Sequence, residues 1–254
     1  IESDSSDSTI HSLNILSDTI NNFRYISLGN LKLQYPLRTD RIAVCRNKYL
    51  DELNTNTLYS NIEYVVMADL DDVNTLLTSS AILSCWNKPN WDVCTANQKY
   101  AYYDLYALRH PVWQPNDCLK QYDFLRKYGL SKGKAQLTAI YAKMLHIKES
   151  SDWIEVDSAF GGFAIYKKEI LKTVRYIGLD ENGEEVCEHV SFHAQLKKKG
   201  YKIFINPKLI NGSRFLDSLN KFLIVLFLKR ISNNFILRPL SNIFKLIIKN
   251  QKHI

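Results

Sequence analysis

The apolar run Tyr64-Val65-Val66-Met67-Ala68, followed at once by Asp69-Leu70-Asp71-Asp72, constrains this chain most. A short apolar run rich in valine reads as a buried strand. The acids then fall at its C-terminal end, where open α/β sheets bind ligands. Asp69 and Asp71 are two residues apart, so an extended backbone turns both carboxylates to one side. Paired oxygen donors suit a hard divalent cation, Mn²⁺ or Mg²⁺, and such a cation suits a diphosphate. A solvated acidic turn is the competing reading of the same residues.

Composition narrows the classes. The 254 residues, 46% hydrophobic, suffice for one large domain with or without an appendage. Five cysteines lie far apart with no close ligand pair, which argues against structural zinc. Their odd number argues against a disulfide framework and for a reducing, cytoplasmic compartment. The net charge of +7 is localised: Lys221, Lys229, Arg230, Arg238, Lys245, Lys249 and Lys252 occur between Leu219 and Ile254 without a single acid. The remainder is balanced, which disfavours nucleic acid as a partner, since that would place positive charge around the cleft. The tail's apolar run Phe222–Leu228 is too short to cross a bilayer. Mixed with Lys and Arg, it suits helices lying on an anionic membrane surface, which places the protein peripherally on the cytoplasmic face. A helix pair packed on the body or on a partner subunit is the alternative. The oligomeric state is not specified.

Along the chain, Ile10, Leu13, Leu16 and Ile20 are spaced for a helix, and Arg24–Leu28 reads as a strand. A helix is expected over Arg38–Leu53, a short one after Asp72 ending near Thr78, and a strand at Ile82–Trp86. Residues 87–117 read as a long functional loop. Tyr122–Met144 reads as interrupted helix, Trp153–Tyr166 as a turn and strand, and Lys168–Tyr176 as helix. A helix over Glu188–Lys199 stops at Gly200, and Tyr201–Ile205 forms a last strand. Strands alternating with helices predict an α/β fold with a mainly parallel central sheet flanked by helices. The expected organisation is a main α/β domain over 1–215 and a basic amphipathic helical tail over 216–254. A start at Ile1-Glu2-Ser3-Asp4, without an initiator Met, reads as a fragment whose first strand lies upstream.

Four features in order resemble nucleotide-sugar-dependent glycosyltransferases of the GT-A fold. They are the acidic, serine-rich segment Ile1–Thr9, the basic helix segment Arg41–Asn47, the DxD-like Asp69-Leu70-Asp71, and the Gly161-Gly162 turn followed by Glu188-His189. The likeness is to bacterial capsule and lipopolysaccharide transferases and to fungal capsule-associated mannosyltransferases, over residues 1 to 210.

That resemblance implies a UDP-sugar or GDP-sugar donor and a glycan or lipid-linked acceptor. It implies Asp71 as direct metal ligand, with Asp69 on the ribose or a metal-bound water. Glu2 and Asp4 become nucleotide contacts, although Asp4 serves equally as a helix cap. Arg41 and Arg46 suit phosphate oxygens through forked, charge-assisted bonds, or form an exposed basic face. Asn47 fixes a loop or meets the nucleotide. Gly161 and Gly162 let backbone approach a sugar. Asp104 and Arg109 fall in the loop that shapes the donor-sugar site, and Asp104 joins Glu188 as a candidate catalytic carboxylate. Glu188 acts as general base in an inverting reaction or as a positioning group in a retaining one; its structural alternative is a first-turn helix acid. His189 and His193 share a helix face, and His193 either completes the metal or diphosphate site or is an ordinary buried histidine.

Two other classes fit the same residues. One is a nucleotidyltransferase, although no GxxxxGK[ST] loop occurs. The other is a non-catalytic glycan-binding or membrane scaffold protein. The tail reading is checked by sedimentation with anionic liposomes: the full chain should co-sediment, and a version ending near Ser218 should not. Equal sedimentation of both removes the tail as the anchor.

Overall fold

The computed structural model describes residues 1–70 and 72–212; Asp71 and the tail expected over 216–254 lie outside the described residues. The elements run α1 (Thr9–Thr19), α2 (Arg38–Thr55), β1 (Tyr64–Ala68), α3 (Ser79–Leu83), β2 (Val93–Gln98), α4 (Cys118–Lys127), α5 (Lys132–Ala139), β3 (Ile154–Val156), β4 (Phe163–Lys167), α6 (Glu188–Lys198) and β5 (Ile203–Gly212). No helix among the described residues is long and apolar enough to cross a membrane.

One five-stranded sheet forms, in the order β1-β4-β2-β5-β3. It corrects the expectation of a mainly parallel sheet. Only β2 and β5 pair parallel, while β1–β4, β2–β4 and β3–β5 are antiparallel. Alternating strands and helices imply a parallel sheet only when each helix returns the chain to a neighbouring strand. Here β1 and β2, joined through α3, are not neighbours. The tight Gly161-Gly162 turn instead sends β4 between them in the opposite direction.

Strand alternation fills both faces of the sheet. Val93, Ala164, Tyr166, Ile203 and Ile205 join the larger apolar cluster, which includes Ala43 and Leu50 of α2 and Phe192 and Leu196 of α6. Cys94, Phe163, Ile165 and Phe204 face the smaller cluster with Ala81 of α3. β1 lies at an edge of the sheet, and Tyr64, Val66 and Ala68 are exposed, so the run is half-buried instead of fully buried.

Several segments differ from their sequence pattern. Arg24–Leu28 contributes one isolated parallel bridge, Glu2 to Ser27. Ile82–Trp86 is helical, because the Thr78 hydroxyl caps α3 by accepting from Ala81 N at 3.2 Å. No helix forms between Asp72 and Thr78, and Lys168–Thr173 is a 3-10 turn. The central strand β2 arises inside the expected loop. Its sequence Val93-Cys94-Thr95-Ala96-Asn97-Gln98 is half polar yet buried at every position. Asn97 Nδ2 donates to the Ile147 and Pro207 carbonyls, each at 3.0 Å, which makes that burial tolerable.

The helix that carries the arginines is fixed from a distance. Leu37 offers α2 no side-chain cap. Glu185 Oε1 accepts from Thr39 N at 3.0 Å, and the Thr39 hydroxyl donates to Gly178 O at 2.7 Å. A Cβ on Gly178 would run into the Thr39 carbonyl and Asp40 N, so this approach requires glycine. Gly178→Ala should therefore destabilise the fold by about 2 kcal/mol, read as a lower urea midpoint. An unchanged midpoint would mean the α2 terminus is not packed this way.

Candidate functional site

One face of α2 lines the main cleft: Arg38, Arg41, Ile42, Cys45, Arg46 and Tyr49. These positions follow the spacing i, i+3, i+4, i+7, i+8, i+11 of a single helical stripe. Opposite them come Ile1, Ser3 and Asp4, the end of β1 at Ala68–Leu70, Asp104, Tyr106 and Ala107, Phe160 and Cys187–His189. The cavity measures about 750 Å³.

Arg46 sits at its centre. Its Nη2 lies 3.1 Å from Asp69 Oδ1 and its Nε 3.1 Å from Glu188 Oε1. The guanidinium carbon stands 5.1 Å from the Phe160 ring centroid and 5.7 Å from that of Tyr176. Burial opposes its charge, but the facing Tyr176, Glu188 and Asp69 prevail and hold it above its ordinary range. One side chain thus joins α2, the end of β1 and the start of α6.

The remaining residues expected at the rim divide into those that line the cleft and those that brace it. Asp4 lines it, with φ of 62°, and does not cap α1: its Oδ1 accepts from Lys32 N at 2.9 Å and its Oδ2 lies 3.6 Å from Arg41 Nε. Arg41 also donates to the Tyr35 and Pro36 carbonyls at 2.8 and 2.7 Å. Glu2 braces the same loop, accepting from Ser5 N at 3.0 Å and the Ser27 hydroxyl at 2.5 Å. Asn47 is a clamp: its amide pairs both ways with the Tyr176 backbone, each bond 2.9 Å. Arg38 was not singled out in the sequence. It is exposed, and its charge helps to lower the Glu185 carboxyl. Its place on the α2 stripe was the signal available.

Gly161 and Gly162 lie behind the cleft and not on its wall, with φ of 69° and 86°. Gly161 O accepts from Asn211 Nδ2 at 2.7 Å and Gln98 Nε2 at 3.2 Å; Gly162 O accepts from Asp69 N at 2.9 Å and Asn74 Nδ2 at 3.0 Å. Both carbonyls are therefore committed to the scaffold. Gly161 N donates to Asp104 Oδ2 at 2.8 Å, and Ala107 N to Asp104 Oδ1 at 3.3 Å, so the turn positions this carboxylate. Burial pushes Asp104 up to about 6, and the charges of Asp69 and Glu188 add to the rise against the two N–H bonds. Arg109 holds the same loop through Asp117 at 2.8 Å and the carbonyls of Tyr106 and Leu108.

The two histidines of α6 exchange the importance the sequence gave them. His193 is fully buried, with Ser158 Oγ 2.9 Å from Nδ1 and Tyr166 Oη 2.9 Å from Nε2, and it does not line the cleft. Both ring nitrogens are occupied by the scaffold. His189 lines the cleft, stacks on Phe160 at 3.8 Å and has no hydrogen-bond partner at either nitrogen. Burial, with Arg46 and His193 nearby, keeps it neutral.

Carboxylate oxygens suit Mn²⁺ or Mg²⁺, but no group of three or more His, Cys, Asp or Glu among the described residues could hold a metal ion. Asp69 already faces Arg46. The described residues thus do not fit the ion by themselves. The chain matches no protein-family model and no curated protein.

Asp104 gives a pH-dependent stability test. Its folded value lies above the ordinary 3.8, so the ionised form opposes folding above about pH 6, and the effect is gone once both states are protonated. Asp104→Asn, whose amide nitrogen cannot accept the second backbone N–H, should gain up to about 3 kcal/mol relative to wild type as the pH rises from about 4 to about 7.5. That gain should vanish below pH of about 4. A stability difference that stays constant with pH would contradict this burial.

Proposed function

We propose that the protein is a nucleotide-sugar-dependent glycosyltransferase. It transfers a sugar from a UDP- or GDP-linked donor to a hydroxyl of a surface-polysaccharide or lipid-linked acceptor. The observation that carries this reading is the convergence of Asp4, Arg41, Arg46, Asp69, Asp104 and Glu188, from five separate segments, on one cavity of about 750 Å³. That volume falls within the range of small-molecule and cofactor sites. The reading rests on these residues and on no sheet topology.

In this proposal the donor diphosphate lies along the arginine stripe of α2. Exposed Arg38 is available at once, whereas Arg46 is fixed by its two carboxylates. Fixed guanidinium groups stabilise charge that develops on the leaving diphosphate without reorganising. The lining carries Asp4, Asp69, Asp104 and Glu188 against Arg38, Arg41 and Arg46, so an incoming dianion meets a nearly balanced cleft. Neutral His189, stacked on Phe160, suits a sugar hydroxyl better than an anion.

Release of UDP or GDP from the corresponding nucleotide hexoses, measured with added Mn²⁺ and with EDTA, tests the reading. Turnover is expected, and Arg46→Ala should weaken nucleotide binding at least about tenfold, as loss of a charge-assisted contact implies. Neither binding nor turnover of any nucleotide sugar under metal-replete conditions would refute the proposal. Release of pyrophosphate would point to nucleotidyl transfer instead.

A further inference from the structure

We propose that Asp104 accepts the acceptor hydroxyl's proton and that Glu188 is a positioning residue that holds Arg46. This inference rests on the glycosyltransferase reading. Both carboxylates line the cavity, but their surroundings differ. Glu188 is buried at the start of α6 with Oε1 against Arg46 Nε at 3.1 Å. A proton on Glu188 would remove one of the two charges that balance the central guanidinium, just as the diphosphate needs that group held in place.

Asp104 has no cation within ion-pair distance among the described residues. Its two oxygens each accept one backbone N–H, from Gly161 and Ala107, which fixes the carboxylate and leaves lone pairs for a substrate. The titratable groups around it are Asp69 after β1, Glu188 and Cys187 at the start of α6, Cys118 of α4, and Tyr102 on its own loop. Burial brings it up to about 6, so at neutral pH it is ionised and ready to take a proton. The two carboxylates of one cleft thus have different partners, a guanidinium for Glu188 and backbone N–H groups for Asp104, and divide the roles.

The step balances as a single displacement. The acceptor oxygen forms a bond to the anomeric carbon as the bond from that carbon to the diphosphate oxygen breaks. The electron pair leaves with the nucleoside diphosphate, and the hydroxyl proton passes to Asp104. The anomeric configuration inverts.

Wild type, Asp104→Asn and Glu188→Gln are compared with UDP- and GDP-hexoses, by calorimetric UDP and GDP binding, nucleotide release over pH, and NMR of the product anomer. Asp104→Asn should bind nucleotide like wild type and lose turnover by about 10²–10⁴-fold. Wild-type kcat/KM should fall as pH drops through about 6, because the base must be deprotonated. Glu188→Gln should keep that acid limb but bind nucleotide more weakly. Asp104→Asn turnover within tenfold of wild type, or a product of retained configuration, overturns the assignment. If Asp104→Asn loses nucleotide binding as well, the wild-type acid limb and product anomer decide. Wild type that binds neither UDP nor GDP fails the underlying reading instead.

Discussion

The ion pairs of Arg46 with Asp69 and Glu188 hold three otherwise separate elements in one arrangement. A guanidinium taken largely out of water is stable only while its carboxylates stay in hydrogen-bonding geometry. That requirement fixes the register of α2 against the end of β1 and the start of α6. Phe160 and Tyr176 supply aromatic faces beside the same group, so packing and charge act together. Moving any one of these elements separates opposite charges, and the cleft walls are thereby held in place.

Behind this ion-pair group lies a polar core that performs the work usually given to apolar packing. Asn74, Gln98 and Asn211 converge on the Gly161-Gly162 turn and satisfy its carbonyls. Gly161 has φ of 69°, where any side chain is strained, and a Cβ there would also displace Gln98 Nε2 from 2.5 Å. The turn then delivers the N–H that orients Asp104. Buried polar groups cost heavily when unpaired, and a connected network specifies one geometry where apolar contacts would tolerate several. Gln98 Oε1 within this network and both nitrogens of His189 are unpaired exceptions, and those of His189 occur at the cleft wall.

The sequence alone determined the long helices and the acidic strand end. The α2 stripe, the Glu188 helix with its Gly200 stop, and the run ending at Ala68 all follow from local periodicity and chain-ending residues. The charged residues that meet in the cleft were named from the strand-end acids and from the resemblance of four ordered segments to a transferase family. The sequence did not yield β2, whose Thr95, Asn97 and Gln98 read as loop until partners far along the chain satisfy them.

Only the tertiary structure decided which strand lies beside which, since alternation of elements along a chain does not fix spatial neighbours. It likewise decided that Arg46 pairs with Glu188 and leaves Asp104 to backbone N–H groups. The two acids are the same functional group in the sequence. Their difference comes from burial and the charge of what stands next to them, and both are set by residues distant along the chain.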